Sequence, residues 1–362
     1  MNYIGSKYSL LDFLHETIKK VTNYEDGTPY SFADLFAGTG VVGAYYRGLG
    51  CKVLSNDLQY YSFVVNKHLI ENTDSVRTDL LDHLNSLPGI DGFIYNNYCA
   101  GSGSGRNYFT DSNGRKCDAI RTELEKLLKA NEIDKDTYFY YLASLINSID
   151  KYANTASVYG AFLKNIKKSA AKDFILEPLP IVNGPKGKAY NKDINELVNE
   201  IEGDVLYLDP PYNERQYCAN YHVLETIAKY DNPTVKGVTG LRNYSDQKSA
   251  FCSAKTVCDV FEDLIKKAKF KYIFLSYNNE GLMSLDQIKD IMSKYGEYSF
   301  YTKTYRRFKA DKDENRNISA NETIEYLHCL VKKDRLIVRF FIYFAKKTPY
   351  CCRRNAHFSG YF

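Results

Sequence analysis

The segment Ser31-Phe-Ala-Asp-Leu-Phe-Ala-Gly-Thr-Gly-Val-Val-Gly43 restricts the fold more than any other part of the chain. A short strand runs into a glycine-rich turn and then into a helix. Gly38, Gly40 and Gly43 satisfy G-x-G-x-x-G, and Asp57 stands fourteen residues beyond Gly43, at the end of a second strand, Lys52 to Ser55. This is the layout of a Rossmann-type nucleotide site, in which the carboxylate accepts from ribose hydroxyls. NAD and S-adenosylmethionine both present an adenosine to such a site, so the nucleotide stays open at this point.

A second constraint is Val205-Leu-Tyr-Leu-Asp-Pro-Pro-Tyr212. Val205 to Leu208 reads as a buried strand. Pro210 and Pro211 lack an N–H and cannot continue a central ladder, so the strand stops there. Asp209 and Tyr212 are thereby held at the carboxyl edge of a strand, where ligands of open α/β sheets bind. A carboxylate, the Pro210 carbonyl and an aromatic ring together suit a planar amine such as a flipped nucleobase.

The rest of the chain supplies a frame for these two segments. With 362 residues it can bury a large core and hold two structural units. Its net charge of +4 permits nucleic-acid binding without demanding it. The nine cysteines include no C-x-x-C pair, which argues against a zinc site or a disulfide framework and for a reducing cytoplasm. No N-terminal signal pattern and no apolar run of ~18 residues is present, so a soluble, cytoplasmic protein without a membrane span is expected.

In chain order, Phe13, Leu14 and Ile18 mark an N-terminal helix with Ser6 or Ser9 as cap, and Gly5 and Lys7 sit at its entry, where they suit a carboxylate. Helices are expected at Tyr60 to Ile70 and Thr73 to Ser86. Asn96 to Phe109 reads as a flexible, glycine-rich segment. Arg106, Tyr108, Arg115 and Lys116 place cations beside aromatics there, a pattern open to two readings: phosphate and base contact, or a plain solvated loop. Two helices with apolar stripes follow, Ile120 to Leu128 and Leu142 to Ile149. Lys164, Lys167, Lys168 and Lys172 then form a basic run with no acidic residue between them. It is either a solvated helix face or a phosphate contact surface. A short strand at Ala189 to Asn191, a helix at Tyr221 to Lys229, and strands at Lys271 to Tyr277 and Glu322 to Val331 complete the pattern. Arg306 and Arg307 lie in a further basic, aromatic segment suited to DNA. Arg335 to Phe362 shows no readable patterning and reads as an extension outside the fold.

Taken together, Tyr3-Ile-Gly-Ser-Lys7, Asp34-Leu-Phe-Ala-Gly-Thr-Gly40, Asp57 and Asp209-Pro-Pro-Tyr212 resemble the class-alpha, Dam-type adenine-specific DNA methyltransferases of bacterial restriction–modification systems. The resemblance implies a Rossmann-like, S-adenosylmethionine-dependent α/β sheet with an inserted, mainly helical target-recognition region. The catalytic unit would comprise residues 1–75 and 196–334, the recognition region 76–195, and the extension 335–362. It also implies S-adenosylmethionine as cofactor, contacted by Tyr3, Lys7, Asp34, Phe36, Gly38, Gly40, Asp57 and Asp209. Asp209, Pro210, Pro211 and Tyr212 would form the methyl-transfer site. Double-stranded DNA would be held by Arg106, Tyr108, Arg115, Lys116, Lys168, Arg306 and Arg307. No metal is called for, and a cognate endonuclease acting on the same site is a possible partner. Cytosine-N4 methylation shares the chemistry and is the nearest alternative. A nicotinamide oxidoreductase leaves the Asp-Pro-Pro-Tyr segment without a role, and a catalytically inactive DNA-binding protein leaves the intact Asp209 and Tyr212 unexplained.

Overall fold

A computed structural model describes residues 5–73, 76–306 and 322–333. The first half carries α1 (Leu11–Thr22), β1 (Ser31–Asp34), α2 (Val41–Gly48), β2 (Lys52–Asn56), α3 (Tyr60–Asn66), α4 (Leu81–Ser86), α5 (Phe93–Tyr98), α6 (Asp111–Lys129) and α7 (Lys135–Lys151). It continues with β3 (Lys188–Tyr190), α8 (Ile194–Leu197), β4 (Glu202–Leu208), α9 (Tyr217–Asn220), α10 (His222–Lys229), α11 (Val257–Lys267), β5 (Lys269–Asn278), α12 (Leu285–Ser293), β6 (Gly296–Arg306) and β7 (Glu322–Lys332).

Among the described residues, seven strands form one sheet in the order β3-β2-β1-β4-β5-β7-β6. The first five are parallel, while β7 runs antiparallel between β5 and β6. Strand order reverses between β1 and β4, so the crevice at their carboxyl ends is the expected ligand site of a doubly wound sheet. The parallel strands carry apolar, buried residues at their centres because both faces are covered there. Alternate residues separate cleanly: Phe32, Val205, Tyr207 and Phe274 join the core under α1, α2, α3, α6 and α7. Ala33, Leu206, Leu208, Ile273 and Leu275 join a second core under α8, α11 and α12.

Buried polar side chains act as caps between the helices around α10, one of them from the insertion. Arg121 of α6 donates to the Ile227 and Ala228 carbonyls at the end of α10. Glu225 of α10 accepts from the Tyr60 and Tyr61 N–H groups at the start of α3. Each satisfies helix-end groups that have no partner within their own helix.

Several expectations need correction. The helix expected over Thr73 to Ser86 is confined to Leu81–Ser86 among the described residues. A 3₁₀ turn, Tyr8–Leu10, precedes α1, whose N-cap is Leu10, so neither Ser6 nor Ser9 caps it. The basic run from Lys164 to Lys172 is not a helix: it consists of turns, with its backbone held by Asn154 and Asn113. β3 lies inside the segment assigned to the recognition region, yet it pairs with β2 at the sheet edge, so the insertion ends before Lys188. The edge strand β6 was not anticipated. The extension from Arg335 onward lies outside the described residues.

Candidate functional site

The glycine turn follows β1 directly. Gly38 and Gly40 have φ of +50° and +74°, a region where residues with a Cβ are strained. Gly40 is also closely packed, because a Cβ there would sit 2.8 Å from Asn66 Oδ1 and 2.9 Å from Leu69 Cδ1. Asn66 is fixed in turn: its Nδ2 donates to the Gly38 carbonyl at 3.1 Å and its Oδ1 accepts from Ser55.

Asp57 faces the same turn. Its two oxygens accept from the Gly38 and Gln59 N–H groups, both at 2.8 Å. Burial pushes its carboxyl up to about 6 against these two hydrogen bonds. The backbone contacts fix the carboxylate and leave each oxygen a further lone pair for a ligand hydroxyl. Asp34, the last residue of β1, is buried. One of its oxygens accepts from Gly43 N–H at 3.2 Å, and the other has no partner. Burial, then the nearby Asp209 charge, push the Asp34 carboxyl up to about 8. An orphaned buried acceptor beside a glycine cradle fits a ligand that brings its own donors. Phe36 is half-buried and meets Phe251 edge-on at 5.0 Å, forming an apolar wall. These residues fit a nucleoside-bearing cofactor.

Next to this cradle, β4 ends at Leu208 and delivers Asp209-Pro-Pro-Tyr212 to the crevice. Asp209 is 17% exposed, so it reaches the crevice while most of its surface is covered. Its Oδ1 lies 3.1 Å from the Lys7 ammonium and 2.7 Å from the Tyr212 hydroxyl. Lys7 donates to Tyr212 at 2.5 Å and to Glu325 Oε1 at 3.0 Å, and the Tyr212 hydroxyl lies 2.8 Å from that same oxygen. Ser276 on β5 also donates to it. Burial pushes the Asp209 carboxyl up to about 6, the Lys7 charge pulls it down, and Glu325 pushes it up again.

Lys7 stands at the helix entry and meets carboxylates there, as its position suggested. It is 3% exposed and forms the centre of a buried network at the end of β4. Tyr212 was expected to offer only a ring. Its edge does pack on Tyr277, at 4.9 Å between centroids, but its hydroxyl is a full member of the network. Glu325 was missed. The signal lay in β7, where Glu325 shares the buried face of Leu327 and Cys329. A carboxylate on such a face requires partners.

The expected DNA contacts fare differently. Tyr108 is fully buried, and its hydroxyl donates to the Tyr159 and Thr239 carbonyls, so it is a core residue and not a base platform. Arg106 donates to the Asn97, Gly237 and Val238 carbonyls and staples two loops together. Lys116 donates to the Asn85 and Leu87 carbonyls. Arg115 pairs with Asp91 and lies 3.9 Å above the Tyr95 ring. Lys168 is exposed, as are Lys164 and Lys172. Arg306 ends β6, with its side chain outside the described residues, as are Arg307 and Tyr3 entirely. Arg106→Ala is therefore expected to lower stability by ~1–2 kcal/mol through its lost hydrogen bonds. The salt dependence of DNA binding should stay unchanged. Thermal melting and a salt titration of affinity check this, and a reduced salt slope would return Arg106 to the interface.

Comparison with known proteins now bears on this geometry. Residues 3–291 match the model of the D12 class N6 adenine-specific DNA methyltransferases. The chain belongs to that family. It is 52% identical over 335 residues to the type II methyltransferase M.NlaIII of Neisseria lactamica, covering 92% of this chain and 99% of that one. It is 35% identical to M.CviAII of Paramecium bursaria Chlorella virus 1, over 90% and 97% of the two chains. It is also 37% identical to M.FokI of Planomicrobium okeanokoites, of which it spans 53%. About half of that longer relative therefore has no counterpart here. The D12 family member described here is an adenine-specific DNA methyltransferase with a Rossmann-like sheet, and DNA is its substrate. Family and relatives do not favour cytosine methylation or an inactive binder. Among the described residues, no helix is long and apolar enough to cross a membrane.

Proposed function

We propose that this methyltransferase uses S-adenosylmethionine to methylate the N6 amine of adenine in duplex DNA, with the target base flipped into the crevice beyond β4. Asp34, Phe36, Gly38, Gly40 and Asp57 would hold the cofactor. When bound, S-adenosylmethionine supplies an electrophilic methyl group. The observation that carries the reading is the placement of the Asp209 carboxylate beside the glycine cradle, at the strand-order reversal of the sheet. Lys7 and Tyr212 fix that carboxylate.

The adenine amine is a weak nucleophile because its lone pair is delocalised into the ring. Asp209 and the Pro210 carbonyl each accept one N–H of the amine. They thereby favour the geometry in which positive charge develops on nitrogen, as preorganised acceptors that need no prior deprotonation. In-line displacement then depends chiefly on positioning. Extruding the base costs a few kcal/mol, offset by contacts in the crevice, the Tyr212 ring among them.

The inserted helices, from residue 76 to the start of β3, serve as the recognition region, with the exposed Lys164, Lys168 and Lys172 available to phosphates. A cognate endonuclease acting on the same sequence and a cytosolic, DNA-associated location complete the proposal.

Calorimetry tests the cofactor assignment. Saturable binding of S-adenosylmethionine is expected, weakened by Asp57→Ala through loss of an acceptor already fixed by Gly38 and Gln59. Binding of NAD with none of S-adenosylmethionine would overturn it.

A further inference from the structure

The buried network around Asp209 contains one group that no step above requires. Glu325 is fully buried on β7, opposite Asn278 of β5 in the ladder. Its Oε1 receives Lys7, Tyr212 and Ser276 together. A carboxylate in such a place costs several kcal/mol of desolvation unless its partners offset it. Three donors on one oxygen provide that offset.

Counting protons gives the carboxylate a task. Among the described residues, the Lys7 ammonium reaches three acceptors, Asp209, Glu325 and the Tyr212 oxygen. The Tyr212 hydroxyl has one proton but two carboxylates within reach, Asp209 Oδ1 at 2.7 Å and Glu325 Oε1 at 2.8 Å. It can serve only one at a time. If it serves Asp209, it occupies acceptor capacity that the target amine needs.

We propose that Glu325 is a positioning residue for methyl transfer: it takes the Tyr212 proton and shares Lys7, so that Asp209 is held in place yet keeps an oxygen open to the adenine amine. The inference rests on the reading of Asp209-Pro-Pro-Tyr212 as the methyl-transfer site. Glu325 acts through Tyr212 and Lys7 and touches no reacting atom. Ser276 orients it from β5. The groups facing Asp209 are Lys7 from the N-terminal segment, Glu325 from β7, Tyr212 and Tyr217 beyond β4, Tyr207 within β4 and Asp34 from β1. Of these, Glu325 and Asp34 are the carboxylates, and Glu325 opposes ionisation of Asp209.

The test is single-turnover methyl transfer against pH for Glu325→Gln, Tyr212→Phe and the double variant, with Asp209→Ala run alongside and folding followed by thermal melting. Glu325→Gln keeps the shape but removes the charge. Its plateau rate should fall roughly tenfold or more. Its acid limb should move to lower pH, because Asp209 then ionises without the Glu325 charge opposing it. The double variant should be little slower than Tyr212→Phe alone, since both changes disable the same hydrogen bond. A folded Glu325→Gln protein with the wild-type plateau and acid limb would overturn the proposal. So would a lower melting temperature with an unmoved limb and losses that multiply, which is the signature of a structural role. Should Glu325→Gln not fold, Ser276→Ala removes the orienting hydroxyl and leaves the charge: a severalfold slower plateau supports the proposal and an unchanged one overturns it. If Asp209→Ala itself retained full transfer, the site assignment would fail. If Asp209→Ala is inactive while Glu325→Gln behaves as wild type, Glu325 alone is misassigned.

Discussion

The Asp209→Ala variant is expected to lose about 10²–10³ in the single-turnover rate of methyl transfer, the usual consequence of deleting one preorganised acceptor at a developing charge. It should fold. Lys7 keeps Glu325 as a charged partner at 3.0 Å, so the substitution does not strand a buried ammonium. Linkage points the same way. Burial raises the Asp209 carboxyl from the usual range to about 6 in the folded protein. Folding therefore favours its protonated form, and that contribution is present at low pH and lost as pH rises through about 6. At pH 8 that contribution is absent from the wild type, so the variant should melt close to it. For the same reason, transfer by the wild-type enzyme should decline below about pH 6, where the carboxyl becomes neutral and a weaker acceptor. Wild-type rates for Asp209→Ala would make the strand-end motif a structural turn.

Gly40→Val should abolish measurable cofactor binding while leaving the DNA-recognition region folded. The φ of +74° places a β-branched residue in a region that costs ~1–3 kcal/mol. The Cβ also meets Asn66 Oδ1 at 2.8 Å, and Asn66 cannot yield without releasing both the Gly38 carbonyl and Ser55. Overpacking of this kind costs a further ~1–3 kcal/mol. Either the glycine turn rearranges or it remains strained, and in both cases the cradle is lost. Gly48→Ala, at the end of the same helix α2, meets nothing within 4 Å and serves as the neutral control. Calorimetric titration with S-adenosylmethionine distinguishes the two. Wild-type affinity for Gly40→Val would mean that the turn is not the cofactor cradle.

The parts of the molecule that were legible in the sequence are those governed by local rules. β1, the glycine turn, β2 and the carboxylate ending it are contiguous, and each is dictated by a periodicity or a φ requirement. The abrupt end of β4 follows from two prolines in succession. The aliphatic stripes of α6 and α7 are core as their spacing indicates. What escaped depends on distant partners. Tyr108 looks like a surface ring in a polar, glycine-rich segment, but the carbonyls that receive its hydroxyl belong to residues 51 and 131 positions away. Arg106 has the composition of a DNA contact and the geometry of a staple. Lys7 and Tyr212 are 205 residues apart, and Glu325 lies a further 113 beyond Tyr212, so their network exists only once β7 has entered the sheet between β5 and β6. The edge strand β6 carries Lys303 and Arg306 among its aromatics, which masks its alternation and made the neighbouring residues read as a basic segment.

The central claim is that the carboxylate at the end of β4 directs methyl transfer to the adenine amine. Unmethylated duplex DNA incubated with labelled S-adenosylmethionine and either the wild-type protein or Asp209→Ala, then digested to nucleosides, tests it most directly. The account predicts label in N6-methyladenine from the wild-type protein and almost none from the variant at equal DNA and cofactor occupancy. Label in N4-methylcytosine, or undiminished N6-methyladenine from Asp209→Ala, would contradict it.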